Sequence, residues 1–147
     1  MCLTGSVNIT DLAPLLLYDG TCGFCAASVA FMLRHERQHS LRFATLRGTV
    51  GSEIRRRHPE LQGVDSMVWV EPPAGGRAEA VSVRSAAGLR AARYLGGGWR
   101  LLAVGGLLPT RLRDFIYDWI ARHRHSLSAS APQCFVPAHD QASRFVD

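Results

Sequence analysis

A short apolar run, Pro14 to Tyr18, ends at the turn dipeptide Asp19-Gly20 and is followed at once by a second apolar segment. An apolar run of this length that is closed by turn residues predicts a buried strand. Residues Cys22 to Arg34 contain dense apolar positions and no helix breaker after Gly23, so we expect a helix there. A strand that leads directly into a helix favours a sheet covered by helices.

The following segments show strand, helix, strand, strand and helix patterns, in the order 41–46, 52–61, 66–70, 78–83 and 85–95. A loop rich in proline and glycine, residues 71–77, separates the third and fourth strands and predicts a hairpin. Ser52 and Ser85 are the predicted N-caps of the two helices, and Gly96 is the predicted stop of the second one.

The segment from Arg111 to Arg124 gives the clearest helical pattern in the chain. Its apolar residues recur at helical spacing and form one stripe: Leu112, Phe115, Ile116, Trp119 and Ile120. Asp114, Asp118 and Arg122 lie at i+4 spacing on the opposite side. We therefore predict an amphipathic helix whose charged side faces solvent.

This order of elements predicts an α/β fold of the thioredoxin-like βαβαββα type, with helices on both faces of the sheet and an extra C-terminal helix. We expect an N-terminal extension at 1–14 and the domain with its C-terminal helix at 15–125. We expect residues 126–147 to form a C-terminal tail that packs on the domain.

The charge composition narrows the classes of function. The 147 residues have a net charge of +5, and all 17 basic residues are arginine. The absence of lysine excludes a P-loop nucleotide site and Schiff-base chemistry.

The densest basic run, residues 55–58, lies in a segment with a helical pattern. We expect it to form a solvent-exposed helix face and not a nucleic-acid site. No apolar run is long enough to span a bilayer. The first fourteen residues have neither a basic region nor an apolar region of the kind a signal peptide contains, so we do not expect one there. We therefore expect a cytoplasmic protein with no nucleic-acid or membrane partner.

Two cysteines, Cys22 and Cys25, follow the first turn at Cys-x-x-Cys spacing, which in a reducing compartment indicates redox or metal chemistry. The thiolate is the form of cysteine that attacks a disulfide. Cys22 would lie at the helix N-terminus, where unpaired N–H groups and the helix dipole favour the thiolate, and Gly23 would leave it accessible. Cys25 would lie one turn inside the helix. We predict that Cys22 is the nucleophile and Cys25 resolves the mixed disulfide, without a bound cofactor.

Asp19, three residues before Cys22, has two possible roles. Its carboxylate could accept or return protons as Cys25 is deprotonated, or it could hold the turn through an Asx-type bond to the backbone. A carboxylate near Cys22 would also raise the pKa of that thiol and so oppose the helix dipole.

Other interpretations of the cysteine pair stay open at this point. A metal-binding module would need further ligands beyond Cys22 and Cys25, such as Cys134, because a structural zinc site uses four. A non-catalytic interaction module on the same fold is the other alternative. Cys2 and Cys134 are interpreted as cysteines without a catalytic role.

The sequence around the cysteine pair resembles the opening of the DCC family of predicted thiol-disulfide oxidoreductases, which is named for an Asp-x-x-Cys-x-x-Cys motif. The matching stretch is Leu16 to Cys25. Further segments are similar to the family's later motifs: Asp65 to Val68, Ser85-Ala86, Trp99 to Leu102, Arg113 to Arg122, Cys134 to Pro137 and Arg144 to Asp147. The resemblance covers about residues 15–147.

The resemblance implies a thioredoxin-like fold and disulfide exchange through Asp19, Cys22 and Cys25. It implies as partners a disulfide- or thiol-containing protein or small molecule and an unidentified electron donor. Thioredoxins also place a cis-proline before the third strand, beside the cysteine pair. Residues 63–67 of this chain contain no proline. We therefore expect substrate docking to differ from that of thioredoxins.

Overall fold

A computed structural model describes residues 13–127 and 139–146. Four strands form its sheet: β1 (Leu15–Tyr18), β2 (Arg42–Thr45), β3 (Val68–Glu71) and β4 (Ala80–Val83). Four α-helices accompany them: α1 (Gly23–His35), α2 (Thr49–Arg57), α3 (Arg84–Leu95) and α4 (Thr110–Leu127). Turns of 3-10 helix occupy Pro59–Leu61 and Ala142–Arg144, and a longer 3-10 segment, Gly97–Leu107, joins α3 to α4.

The sheet has the strand order β2-β1-β3-β4. β1 pairs with β2 in parallel, with Leu16 opposite Phe43, and with β3 in antiparallel orientation, with Leu16 opposite Trp69. β3 and β4 form the predicted antiparallel hairpin. This mixed four-stranded sheet with its helices confirms the α/β prediction and is consistent with a thioredoxin-like fold.

Alternation along β1 gives the sheet two buried faces. Leu16 and Tyr18 belong to one hydrophobic cluster, which also contains residues of α1 and α3. Leu15 and Leu17 belong to a second cluster, which contains residues of α2. The helices therefore cover both faces of the sheet, and β1, at its centre, carries the turn that leads into α1.

The predicted N-caps are wrong in position. α2 begins at Thr49, with Gly48 as its N-cap, and Ser52 lies inside the helix. Gly51 lets the helix start there, because a Cβ on it would lie 2.2 Å from the carbonyl oxygen of Thr45. The helix also ends at Arg57, since Pro59 has no N–H and begins a separate 3-10 turn.

α3 likewise begins earlier than expected, by two residues at the N-cap. Its N-cap is Val83, the last residue of β4, and no side chain caps the start of the helix by a hydrogen bond. Arg84 takes a positive φ of 54° at this direct strand-to-helix junction. Gly96, with a φ of 69°, ends the helix as predicted.

α4 has the opposite orientation from the one the pattern indicates. Ser85 donates a hydrogen bond of 2.5 Å to Asp114, and the Arg113 side chain donates one of 2.9 Å to Ser85, so the charged side of α4 faces α3. Most of the apolar stripe faces outward, and Phe115 is 60% and Trp119 50% exposed, whereas the half-buried Ile120 lines the crevice at Cys25. The prediction that the charged side faces solvent is therefore wrong for Asp114 and Asp118, although Arg122 is exposed.

Residues 139–146 run back to the edge of the sheet. Val146 donates a backbone hydrogen bond of 3.0 Å to the carbonyl of Phe43, and the rings of Phe43 and Phe145 stack with 5.2 Å between their centroids. Within the two described ranges, none of the helices combines the length and hydropathy that a membrane span requires.

Candidate active site

Cys22 and Cys25 lie at the carboxyl end of β1, where the chain turns into α1. Cys22 is the N-cap of α1, and its backbone is extended, with φ −96° and ψ 114°. Its carbonyl accepts the first helical hydrogen bond, from the N–H of Ala26, at 3.0 Å. Cys25 lies in the first turn of the helix. Both cysteines are present as thiols.

The N-terminus of α1 is electrostatically open to a negative charge. No acidic side chain lies in its first turn, and no side chain caps it by a hydrogen bond. The first N–H groups of a helix lack intrahelical partners and form the positive end of its dipole. Cys22 lies at this positive end of the helix, and the last turn carries Arg34 and His35 at the other end.

Both thiols are more enclosed than the sequence suggests. Cys22 is 8% and Cys25 3% exposed, and both belong to the hydrophobic cluster between the sheet and α1. The expectation that Gly23 leaves Cys22 accessible is therefore wrong, since apolar neighbours such as Tyr18 surround the turn. Cys22 is slightly more exposed than Cys25, and both thiols are buried.

A narrow crevice reaches Cys25 between α1 and α4. Its volume is about 20 Å³, and it is lined on one side by Phe24 and Cys25 and on the other by Tyr117, Ile120 and Ala121. Ser66 and Met67, which come just before β3, complete the lining. The crevice is too small for more than a water molecule, so α4 restricts access to Cys25 from this side.

Met67 lies immediately before β3, in the stretch 63–67 where the resemblance to thioredoxins led us to look for a cis-proline. The described residues contain no cis peptide bond. Met67 packs against the cluster that contains both cysteines, and it also lines the Cys25 crevice. A flexible thioether therefore borders the site where a rigid ring would otherwise shape the substrate groove.

Asp19 holds the turn before the cysteine pair. Its carboxylate oxygen Oδ1 accepts hydrogen bonds from the backbone N–H of Thr21 at 3.0 Å and from the Thr21 hydroxyl at 2.8 Å. Its backbone carbonyl accepts a bond of 3.2 Å from the N–H of Cys22. The Asx-type interaction expected as one of its two roles is therefore present, and it fixes the backbone that delivers Cys22 to the helix N-terminus.

A polar cavity of about 630 Å³ lies beside the crevice, between the loop before β3 and α4. Two arginines, Arg84 and Arg122, and two carboxylates, Asp65 and Asp118, contribute charges to it. Three residues, Ser66, Tyr117 and Ala121, line both spaces. Sequence reasoning did not single out Tyr117. The signal was weak, because Tyr117 lies on the side of α4 that the pattern indicated as solvated.

The metal alternative finds no support among the described residues. In residues 13–127 and 139–146, no three side chains of histidine, cysteine, aspartate or glutamate are grouped as a metal site would need. Cys2 and Cys134 lie outside the described residues.

Fold and site together define a class: an α/β domain, consistent with a thioredoxin-like fold, that carries two cysteines at the N-terminus of its first helix. Residues 16–130 match the DCC1-like thiol-disulfide oxidoreductase family. The chain belongs to this family, as the resemblance in the sequence indicated, and a general thiol-disulfide redox function follows from that membership.

Two relatives extend the match over most of the chain. The chain is 26% identical to the uncharacterized protein YuxK of Bacillus subtilis strain 168, over 90% of this chain and 93% of that protein. It is 28% identical to the DCC family protein At1g52590, chloroplastic, of Arabidopsis thaliana, over 89% of this chain and 74% of that protein. No solved structure matches the chain.

Proposed function

We propose that the chain exchanges disulfides through its Cys-Gly-Phe-Cys pair, with Cys22 as the nucleophile and Cys25 as the resolving thiol. The observation that carries this proposal is the position of Cys22 at the uncapped N-terminus of α1, with Cys25 in the first turn of the same helix. This arrangement places the Cys22 sulfur at the positive end of the helix dipole and Cys25 one turn away in the same helix.

In the reducing direction the reaction has two steps. The Cys22 thiolate attacks one sulfur of the substrate disulfide, the S–S bond breaks, and one substrate sulfur leaves as a thiolate. The Cys25 thiol then loses its proton and attacks the Cys22 sulfur, which releases the second substrate thiolate. The pair ends as a disulfide, and two electrons have passed to the substrate, whose two thiolates take up protons from the solvent.

We propose that Asp19 accepts the proton of Cys25 during the second step, in addition to its bonds to Thr21. The support for this role is its place in the turn whose backbone holds Cys22. A positioned carboxylate is a common general base for such a transfer.

The substrate in this proposal is a disulfide- or thiol-containing protein or small molecule, and a separate electron donor restores the dithiol. The crevice at Cys25 holds no more than a water molecule, so in this proposal the substrate disulfide meets the Cys22 sulfur first. The name of the Arabidopsis relative places that protein in the chloroplast. A cytoplasmic location for this chain stays a prediction.

The test compares three single substitutions in exchange with a model disulfide. Cys25→Ser should accumulate a mixed disulfide through Cys22, visible as a mass increase that a reductant reverses. Cys22→Ser should abolish exchange. Cys134→Ser is the control for the loss of one thiol and should keep the wild-type rate. Retention of exchange by both Cys22→Ser and Cys25→Ser would show that the proposal is wrong.

A further inference from the structure

The outward face of α4 and of the 97–107 segment carries an unusual amount of exposed apolar surface. Leu101 is 74%, Leu107 86% and Phe115 60% exposed. Trp99 extends this surface to α1, where its ring meets that of Phe31 edge-on at 5.0 Å. We call the exposed apolar side chains of α4 and residues 97–107 the apolar face. Contiguous apolar surface on one side of a domain marks an interaction site.

The orientation of α4 is the central observation. A surface helix normally buries its apolar stripe and exposes its charges. Here the side of α4 with Arg113, Asp114, Tyr117 and Asp118 is half-buried against the domain, and the stripe that includes Phe115 points away from it. The helix is held by polar contacts such as that of Ser85 with Asp114. The stripe around Phe115 is therefore available to bind a partner outside the domain.

The charges beside the apolar face all have one sign among the exposed side chains that the structure describes between residues 97 and 123. Arg100 and Arg111 are exposed, whereas the carboxylates Asp114 and Asp118 are half-buried. The exposed Arg122 lies on the charged side of α4 and lines the polar cavity together with Asp65. Exposed carboxylates such as Glu53 and Glu60 belong to α2 and the turn after it, on the opposite side of the sheet. The apolar face is therefore bordered by arginines.

We propose that this face binds the surface of an anionic lipid membrane, with the apolar side chains in the interface and the arginines at the headgroups. Exposed leucine, phenylalanine and tryptophan bordered by arginine are the features of an interfacial, membrane-bound segment. A symmetric dimer through the same face would place the arginine border of one copy near that of the other. Like charges disfavour that arrangement.

This inference differs from the expectation of no membrane partner, and it is independent of the redox chemistry of Cys22. No helix needs to cross the bilayer, because the face would lie in the plane of the membrane surface. It would hold the domain at the lipid surface through the side formed by α4, which is also the helix that lines the Cys25 crevice.

The test measures binding of the full chain to vesicles of phosphatidylcholine that contain phosphatidylglycerol, with vesicles of phosphatidylcholine alone for comparison. The wild type should float with the anionic vesicles. Leu101→Ser with Leu107→Ser should reduce the partition coefficient at least about tenfold, since each leucine loses its burial in the interface. Both leucines are highly exposed, so the double variant should keep the wild-type circular dichroism spectrum.

Two matched double variants distinguish the effect of the arginines beside the apolar face from the effect of the net charge of the protein. Arg100→Gln with Arg111→Gln should weaken binding about fivefold for each arginine. Arg47→Gln with Arg77→Gln removes the same charge from exposed positions elsewhere and should weaken it much less. Equal effects of the two pairs, or no binding of the wild type, would overturn the proposal. So would a dimer, seen by sedimentation, that the leucine variant dissociates while vesicles are not bound.

Discussion

Arg144 binds the carboxylate of Glu36 with two nitrogens, and the Nη2 to Oε2 distance is 2.7 Å, although the two residues are 108 positions apart. The Glu36 side chain is completely buried. The Tyr94 hydroxyl donates a third hydrogen bond to it, at 2.9 Å, and Arg144 also donates to the carbonyl of Leu41. The pair ties the end of the described chain to the end of α1 and the start of β2.

Arg144→Ala should therefore destabilise the fold by about 3 kcal/mol, because it leaves the buried carboxylate of Glu36 without its counter-charge. The free energy of unfolding in urea measures the effect. Arg47→Ala removes an exposed arginine and should change that free energy by less than about 0.5 kcal/mol. A loss of under about 1 kcal/mol in Arg144→Ala would contradict the role given to this ion pair.

Two helical glycines should respond in opposite directions to alanine. A Cβ at Gly51 would lie 2.2 Å from the Thr45 carbonyl oxygen, so α2 would have to move away from the sheet. We expect Gly51→Ala to cost about 2–3 kcal/mol. Gly88, in α3, has nothing within 4 Å of the added Cβ, and Gly88→Ala should stabilise by up to about 1 kcal/mol. Thermal unfolding of both variants checks the pair, and equal effects would refute the close approach at Gly51.

The central part of the fold was predictable because its signals are local. The apolar run, the Asp19-Gly20 turn and the cysteine spacing all lie within a dozen residues, and they placed Cys22 at the start of α1 correctly. The predicted helix starts at Ser52 and Ser85 were wrong. In α2, the close approach of Gly51 to the backbone of β2 outweighed the preference of serine for the N-cap. In α3, the helix continues directly from β4, so the serine lies inside it.

The orientation of α4 was not predictable for a different reason. Periodicity shows that a helix has two faces, but it does not show which face docks on the domain. That choice depends on Ser85 and Asp114, which are 29 residues apart. The Glu36–Arg144 pair is a contact of the same long-range kind, and the burial of Cys22 depends on side chains from several elements.

His58 should make stability depend on pH near neutrality. Burial lowers the pKa of His58, but hydrogen bonds to Glu60 at 3.0 Å and Glu79 at 2.9 Å, with the charges of those carboxylates, outweigh it and raise the pKa above its ordinary value of 6.5. The resulting stabilisation is complete below the pKa of the unfolded chain. It is lost as the pH rises through the higher pKa of the folded state.

We therefore expect the wild type to lose more stability than His58→Gln when the pH is raised from about 6 to about 9, as measured by urea unfolding. The titration of the His58 ring by NMR should give a pKa above 6.5. Glu79→Gln should lower that pKa, since it removes one of the two carboxylates. A His58 pKa at or below 6.5 in the wild type would contradict the prediction.

Asp19 offers a substitution that separates its bonds in the turn from proton transfer. Asn keeps an Oδ1 acceptor for the backbone N–H and hydroxyl of Thr21, so Asp19→Asn should change the stability by less than about 0.5 kcal/mol. Asp19→Ala removes both bonds and should cost about 1–2 kcal/mol.

If Asp19 also takes the proton of Cys25, Asp19→Asn should slow resolution of the mixed disulfide at least about a hundredfold, without slowing its formation. Stopped-flow measurement of the two steps decides the matter: equal resolution rates in wild type and Asp19→Asn would leave Asp19 with its role in the turn alone.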